Sequence, residues 1–184
     1  MMIIDLLSAN QPFLLTAALV LGLLVGSFLN VVVYRLPIML QREWKQQCSE
    51  LLKVENQSTL HINSSVKYEV FNLQNPASHC RNCNHKIKPW ENVPVISYLA
   101  LRGRCSNCKS RISLRYPIVE LANGLLSALV AFTFGPNLLT LALLFFTWAL
   151  VTLTLIDFDH QLLPDSITIP LLWFGIGINA FDLG

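Results

Sequence analysis

The pattern of apolar and charged residues along the chain predicts a series of membrane-spanning helices. No charged residue lies between Asp5 and Arg35, and residues 12–34 supply more than the about 20 apolar residues that a helix needs to cross a bilayer. A second uncharged stretch, Leu121 to Ile156, is interrupted by Gly135-Pro136-Asn137, a tripeptide that predicts a tight turn. We therefore predict spans over residues 12–34, 116–134 and 138–156.

A shorter apolar stretch, 166–181, predicts a fourth span. Composition supports the membrane class, because 53% of the residues are hydrophobic, only 13% are charged and the mean hydropathy is +0.51, which is too apolar for an ordinary soluble domain. A cleaved signal peptide is the alternative for the first stretch. It fits poorly, because no basic residue precedes the stretch, the apolar run is too long and no small-x-small cleavage site precedes a polar start.

Basic residues are confined to one segment, which predicts the orientation. All 13 Lys and Arg lie from Arg35 to Arg115, and with five Glu the segment has a net charge of +8. The positive-inside rule then places 35–115 in the cytoplasm and the N-terminus in the periplasm. Such a charge would attract the anionic inner leaflet, or an acidic or membrane-bound partner. Nucleic acid is a weaker alternative, since no motif of interleaved aromatic and basic residues accompanies the scattered charges.

Two CxxC pairs within this segment predict a metal site. The interval between them is typical of four thiolates that bind one tetrahedral Zn²⁺. A redox dithiol or a pair of disulfides is the alternative, and a cytoplasmic location disfavours it. We expect Cys48 to be an inert thiol and His79 and His85 to be unnecessary as ligands. The predicted ligands are Cys80, Cys83, Cys105 and Cys108.

Together these features predict an α-helical polytopic membrane protein with a small cytoplasmic tetracysteine zinc-binding domain, residues 35–115, inserted between the first and second spans. Its first part, Ile38 to Leu73, is polar with traces of amphipathic character. We expect the first helix to continue out of the membrane there and a short strand or two to follow.

An acidic segment follows the long uncharged stretch. It begins at Asp157 and also contains Asp159, His160 and Asp165. Because a charge in or against hydrocarbon is costly, acids at this place are candidates for a functional site. The alternative is a helix that merely ends at the membrane surface with polar residues. A Mg²⁺ or Zn²⁺ site made by Asp157, Asp159 and His160 is a further, less favoured alternative. The predicted topology places 157–165 at the cytoplasmic face.

Five segments in order resemble the type IV prepilin peptidases. They are residues 26–37 (GSFLNVVVYRLP), the two CxxC pairs, 89–99 (PWENVPVISYL), 115–120 (RYPIVE) and 157–165. The resemblance implies a bifunctional inner-membrane enzyme of pilus assembly and type II secretion. Such enzymes cut the short basic leader from prepilins and pseudopilins at the cytoplasmic face and then methylate the new N-terminal amine.

The resemblance also implies the site residues. The first catalytic aspartate of the family matches Asp157, and Asp159 and Asp165 are supporting candidates. Two close carboxylates share one proton, so a pair can activate water and protonate the leaving amide without a metal. The family's second aspartate lies in a GxGD motif, which these 184 residues lack: the nearest sequence, Gly175-Ile-Gly177-Ile178, ends in Ile. We therefore expect a partial sequence whose second aspartate follows residue 184.

The methyltransferase activity is implied by the resemblance alone. The resemblance alone also implies S-adenosylmethionine as the cofactor of this activity, since the sequence has no Gly-rich nucleotide-binding turn after a strand. We expect its site around residues 91–103 and the cysteines. The competing hypothesis is a non-enzymatic, membrane-anchored zinc-binding docking module, in which the acids only end a helix. The sequence predicts no oligomeric state.

Overall fold

The computed structural model describes residues 10–55, 71–75, 77–80 and 82–180, and its regular structure is helical. A short 3-10 helix precedes α2, and the described residues form no strand beyond the isolated bridges His79–Lys86 and Arg104–Arg111. The part of the chain that the structure describes has five α-helices, which are α1 (Gln11–Glu55), α2 (Ile96–Ala100), α3 (Arg115–Phe134), α4 (Leu138–His160) and α5 (Asp165–Ala180).

Helix α1 is much longer than a membrane is thick. Its 45 residues extend about 68 Å at 1.5 Å per residue, whereas the hydrocarbon core measures about 30 Å. Pro37 lies within it and is fully buried, and the helix continues past this residue. The prediction that the first helix continues beyond the apolar stretch is confirmed. Most of the segment in which we expect a strand, 56–70, lies outside the described residues.

Three of the helices are long and apolar enough to cross a membrane. They cover Gln11–Leu52, Arg115–Phe134 and Leu138–His160. Each contains one of the first three predicted spans, and the limits of the spans within these helices stay predictions. Helix α5 coincides with the fourth predicted span but has 16 residues, which is below the usual length for crossing. Its passage through the membrane stays a prediction.

Small residues bring α1 and α3 into close contact. A Cβ atom added to Gly22 would lie 2.8 Å from the Cα of Gly124, and one added to Gly26 would lie 2.9 Å from the Cα of Glu120. Glycines spaced by four residues allow such an approach between membrane helices, where van der Waals packing and not the hydrophobic effect drives association. Any larger side chain would push the helices apart.

A chain of buried and partly buried hydrogen bonds connects α1, α3 and α4. The amide of Asn123 donates to the carbonyl of Gly22 at 2.7 Å, and the indole of Trp148 donates to the hydroxyl of Ser127 at 2.9 Å. The Ser127 hydroxyl in turn donates to the carbonyl of Asn123 at 2.8 Å. Polar side chains that bond across helices in this way fix their relative rotation.

The turn between α3 and α4 has the conformation that its sequence predicts. Gly135 ends α3 at φ +70°, and the Asn137 side chain accepts the N–H of Thr140 at 2.7 Å. A residue at positive φ followed by an Asn cap is a favourable way to end one helix and begin the next. The two helices are therefore antiparallel neighbours, and the first residue of α3 lies near the end of α4.

Candidate functional site

Helix α4 continues beyond its predicted end at residue 156 and carries two of the candidate acids in its last turn. It ends at His160, because Gln161 adopts φ +50° and its N–H bonds to the carbonyl of Asp157 at 2.8 Å. Nothing between 157 and 160 interrupts a helix, whereas Pro164 soon after prevents its continuation. Asp165 lies beyond this break, in the first turn of α5.

The structure distinguishes Asp157 from Asp159. Residues two positions apart on a helix are rotated by about 200° about its axis, so the carboxylates of Asp157 and Asp159 lie on opposite sides of α4. Asp159 receives two parallel hydrogen bonds from Arg115, at 2.8 and 2.5 Å. The Asp157 residue is exposed, and its side chain makes no hydrogen bond or ion pair with the residues that the structure describes. Of the two acids in the last turn of α4, Asp157 is therefore the one whose carboxylate stays available for another partner.

The partner of Asp159 follows from the helical hairpin. Arg115 precedes Pro136 by nearly the same number of positions as Asp159 follows it. In an antiparallel hairpin, residues equally far from the turn lie at the same level, so these opposite charges meet. From the sequence, Arg115 indicates the orientation of the spans and begins one of the five segments of the resemblance, but its pairing with Asp159 is not predicted. The similar spacing from the turn was the signal that would have identified the pair.

The remaining polar residues of this segment have local explanations. Asp165 lies in the first turn of α5, where an acidic side chain is favoured by the helix dipole. His160 lies in the last turn of α4, where a basic side chain is favoured. Among the described residues, only the four cysteines bring three or more metal-binding atoms together. The alternative metal site of Asp157, Asp159 and His160 therefore has no support from the structure.

The four predicted cysteine ligands form one cluster. Their Sγ atoms all lie within 4.8 Å of one another, with Cys80 at 3.8 Å from Cys108 and Cys83 at 4.0 Å from Cys105. A tetrahedral zinc with Zn–S bonds of about 2.3 Å requires sulfur–sulfur distances of about 3.8 Å. A disulfide would require about 2.05 Å, and all five cysteines are free. The arrangement fits zinc and does not fit disulfides.

Two copies of the same backbone turn build this cluster, one for each CxxC pair. The N–H of Cys80 bonds to the carbonyl of His85, and the N–H of Cys105 bonds to that of Ser110, both at 2.9 Å. The fourth residue after each of these cysteines has a positive φ, 54° at Asn84 and 59° at Lys109. Each CxxC pair is thus presented by an equivalent tight turn.

Side-chain donors cross from one turn to the sulfur atoms of the other. Asn82 donates to Cys108 Sγ at 3.9 Å, and the equivalent Asn107 donates to Cys83 Sγ at 3.7 Å. The hydroxyl of Ser110 lies 3.1 Å from Cys108 Sγ. This contact is the largest of several hydrogen bonds, the next being that of the Ser110 backbone, that together lower the pKa of Cys108 to about 6. Such outer contacts favour the thiolates that bind a metal.

The other candidate ligands lie outside the cluster. His79 Nδ1 contacts the carbonyl of Ala77 at 3.0 Å, and His85 Nε2 lies 3.8 Å from a carboxylate oxygen of Glu91. Cys48 is exposed on α1. The expectation that the histidines are not needed as ligands agrees with this arrangement.

A cavity of about 710 Å³ separates the cysteine segment from α1 and the beginning of α3. At its rim, Asn30 donates to the carbonyl of Tyr116 at 3.2 Å, and buried Glu120 accepts the N–H of Val95 at 2.8 Å. Val95 has φ +57°, a strained value for a β-branched residue. Its bond to Glu120 holds this strained turn in place. The polar and aromatic side chains that line the cavity include Asn30, Arg35, Glu91, Tyr98, Tyr116 and Glu120.

Comparison with known proteins agrees with this arrangement. The family described as the bacterial peptidase A24 N-terminal domain matches residues 20–134, which include the cysteine cluster and the cavity. The chain belongs to the bacterial A24 peptidase family. The type IV leader peptidase family matches residues 144–184, the part of this chain that contains Asp157. The sequence resemblance to this family is confirmed.

Three proteins named prepilin leader peptidase/N-methyltransferase illustrate the similarity. The chain is 52% identical to the protein of Stutzerimonas stutzeri, over 98% of this chain and 60% of that relative. It is 48% identical to the protein of Pseudomonas aeruginosa, over 100% of this chain and 60% of that relative. It is 46% identical to the protein of Neisseria gonorrhoeae, over 94% of this chain and 58% of that relative. The chain therefore spans about three fifths of the length of these relatives. No solved structure matches it.

Proposed function

We propose that this protein removes the leader peptide of type IV prepilins and pseudopilins at the cytoplasmic membrane face and then N-methylates the new N-terminal residue. It would thereby serve pilus biogenesis and type II secretion. The observation that carries the proposal is Asp157. This acid lies in the segment matched by the type IV leader peptidase family, at the end of a membrane helix, and its exposed side chain has no hydrogen-bond or ion-pair partner among the described residues.

Asp157 would supply one carboxylate of an aspartic dyad. In such a pair one carboxyl group is protonated while the other is charged, so together they remove a proton from water and donate one to the leaving amide nitrogen. The family resemblance assigns the second carboxylate to a GxGD motif, which the 184 residues do not contain. Asp159 would act only by positioning, since its carboxylate is bound by Arg115. Asp165 would act by beginning α5.

We further propose that the four cysteines bind one structural Zn²⁺. When bound, the ion would join the two equivalent turns and supply no chemistry to peptide cleavage. The sulfur distances and the donors from Asn82, Asn107 and Ser110 support this role. The test is a metal analysis of the purified protein, in which about one zinc per chain is expected. Zinc retained after Cys80 and Cys83 are both replaced by Ser would refute it.

The cavity beside residues 91–103 is the place that we propose for S-adenosylmethionine. Small-molecule sites usually measure about 300–1,000 Å³, and the cavity has about 710 Å³. Its acids Glu91 and Glu120 and its aromatic Tyr98 offer partners for the hydroxyl and amino groups and the adenine ring of such a ligand. Binding of the cofactor to the purified protein tests this assignment separately from methylation.

The proposed topology places this chemistry on the cytoplasmic side. The N-terminus would lie in the periplasm of a bacterial inner membrane, with 35–115 and the end of α4 in the cytoplasm. The net charge of +8 over 35–115 supports this orientation through the positive-inside rule. A leader peptide presented at the inner surface would then reach Asp157 directly.

Cleavage of a prepilin in membranes that contain the protein expressed from its gene tests the proposal. Asp157→Ala and Asp157→Asn should both abolish cleavage, whereas Asp159→Asn and Asp165→Asn should retain it. Unimpaired cleavage by both Asp157 variants would refute the assignment of this residue. No observation favours the alternative of a non-enzymatic docking module, which would leave all four variants equivalent.

A further inference from the structure

A short segment of the cysteine-containing region exposes more apolar surface than its surroundings explain. Trp90, Ile96 and Leu99 have exposed fractions of 67, 67 and 68%, and Val93 follows at 38%. Ile96 and Leu99 lie three positions apart on α2 and therefore share one face of that helix. We call the four residues Trp90, Val93, Ile96 and Leu99 the apolar ridge. An exposed patch of this kind usually contacts another surface.

The contact between Val95 and Glu120 determines the level of the ridge relative to the membrane. Glu120 lies five residues after Arg115 in α3, which is about 7.5 Å along the helix axis. Its carboxylate holds the N–H of Val95 at 2.8 Å, between Val93 and Ile96 of the ridge. The ridge is therefore held beside the point at which the uncharged stretch of α3 begins. Helix α3 itself exposes Ile118 and Leu121 at this level.

The charges near the ridge complement an anionic surface. From Lys86 to Arg104 the chain contains four basic residues and one acid. That acid, Glu91, accepts the N–H of Lys88 at 3.0 Å and has a side chain only 13% exposed. The Lys88 ammonium lies 5.5 Å from the centre of the Trp90 ring. An exposed Trp with basic neighbours is typical of segments that lie in the membrane interface.

We infer that the apolar ridge inserts into the lipid leaflet on the side of the membrane where α3 begins, with the neighbouring basic side chains at the phosphate groups of anionic lipids. The segment would lie in the plane of the interface, with its apolar face about 5–10 Å into the boundary between headgroups and acyl chains. This contact would fix the cysteine cluster and the adjoining cavity against the membrane surface. The inference does not depend on the proposed peptidase activity.

Fluorescence quenching by lipid tests the inference in the intact protein, reconstituted into vesicles of phosphatidylcholine and phosphatidylglycerol. The lipids carry bromine atoms either near the headgroup or near the methyl end of the acyl chains. The difference in emission between the wild type and Trp90→Phe isolates the contribution of Trp90. We expect shallow bromine to quench this contribution at least about twofold more than aqueous acrylamide does, as for a side chain in the interface.

Trp44 provides the matched control within the same chain. It is exposed at 47% on α1 and lies nine residues beyond Arg35, about 13 Å along the helix. The emission lost in Trp44→Phe should show the reverse order, with acrylamide the stronger quencher. Equal responses of the two tryptophans, or a Trp90 contribution quenched mainly by acrylamide, would overturn the inference.

Two further measurements test whether a second copy of the chain covers the ridge and whether Trp90→Phe disturbs the fold. If a second copy of the chain occupied the ridge, lipid quenching of Trp90 would fall as the ratio of protein to lipid rises, whereas lipid insertion predicts no change. If the loss of the indole in Trp90→Phe disturbed the fold, Leu99→Trp would add a second probe on the ridge without removing the first. Its added emission should be quenched by shallow bromine, and an added emission accessible only to acrylamide would again overturn the inference.

Discussion

Breaking the ion pair between Arg115 and Asp159 should loosen the end of the α3–α4 hairpin without removing the proposed catalytic carboxylate. The two side chains form a bidentate pair at 2.8 and 2.5 Å between the first residue of α3 and the last turn of α4. Asp157 lies two positions before Asp159. We therefore expect the pair to hold the turn that carries Asp157, and its loss to lower cleavage without abolishing it.

The exposure of the pair sets the size of the effect. The Arg115 side chain is 44% exposed and that of Asp159 is 24% exposed, so water and salt screen much of their attraction. Exposed ion pairs contribute about 0.2–1 kcal/mol, and bidentate geometry favours the upper part of that range. We expect a coupling free energy of about 0.5–1 kcal/mol between the two residues. The coupling should shrink in 1 M salt, where the screening length is only about 3 Å.

A double-mutant cycle with Arg115→Gln and Asp159→Asn measures this coupling as a difference in the free energy of unfolding in mixed micelles. Arg115→Gln combined with Asp165→Asn is the control cycle, because Asp165 begins α5 and makes no ion pair among the described residues. The control effects should add. A coupling no larger than that of the control, or one unchanged by salt, would refute the role that we assign to the pair.

The remaining predictions concern the packing, the metal and the cavity. Gly22→Ala should lower the free energy of unfolding by about 1–3 kcal/mol, as overpacking does, because the new Cβ would lie 2.5 Å from Ser127 Oγ. The control is Gly177→Ala, whose new Cβ would meet nothing within 4 Å and which should leave the free energy of unfolding unchanged or raise it. The double replacement of Cys80 and Cys83 by Ser should remove the zinc found by metal analysis, whereas Cys48→Ser should retain it, and loss of zinc in Cys48→Ser would contradict the assignment. Glu120→Ala should raise hydrogen exchange at the Val95 amide by about tenfold or more, the value expected for loss of a bond of about 1.5–3 kcal/mol to a charged group; unchanged exchange would show that Glu120 does not hold the turn.

The helices and the cysteine cluster are the features that the sequence predicts best. Uncharged stretches and the tripeptide at 135–137 are local signals, so the predicted limits of the second span differ from those of α3 by a single residue. The spacing of the cysteines within and between the two CxxC pairs is likewise a signal that the sequence contains directly. Four thiols brought within 4.8 Å are the outcome that this spacing predicts.

Contacts between distant segments are what the sequence could not supply. The bond from Val95 to Glu120 joins a strained turn to a membrane helix, and neither residue has a local pattern that points to the other. The close approach of Gly22 to α3 depends equally on how the helices cross. The different positions of Asp157 and Asp159 depend on the continuation of α4 to His160. Two acids two residues apart lie on opposite sides only if both belong to the helix.

The rate of prepilin cleavage by Asp157→Asn, compared with Asp159→Asn and the wild type at equal zinc content, tests the central claim most directly. Equal zinc content shows that each variant retains the folded cysteine cluster, so a difference in rate reports on chemistry. Loss of a catalytic acid–base group should lower the rate of Asp157→Asn by about 10²–10⁴-fold, while Asp159→Asn should stay within about tenfold of the wild type, as expected for loss of a pair contributing about 1 kcal/mol. The reverse order, with Asp159→Asn inactive and Asp157→Asn active, would contradict the account.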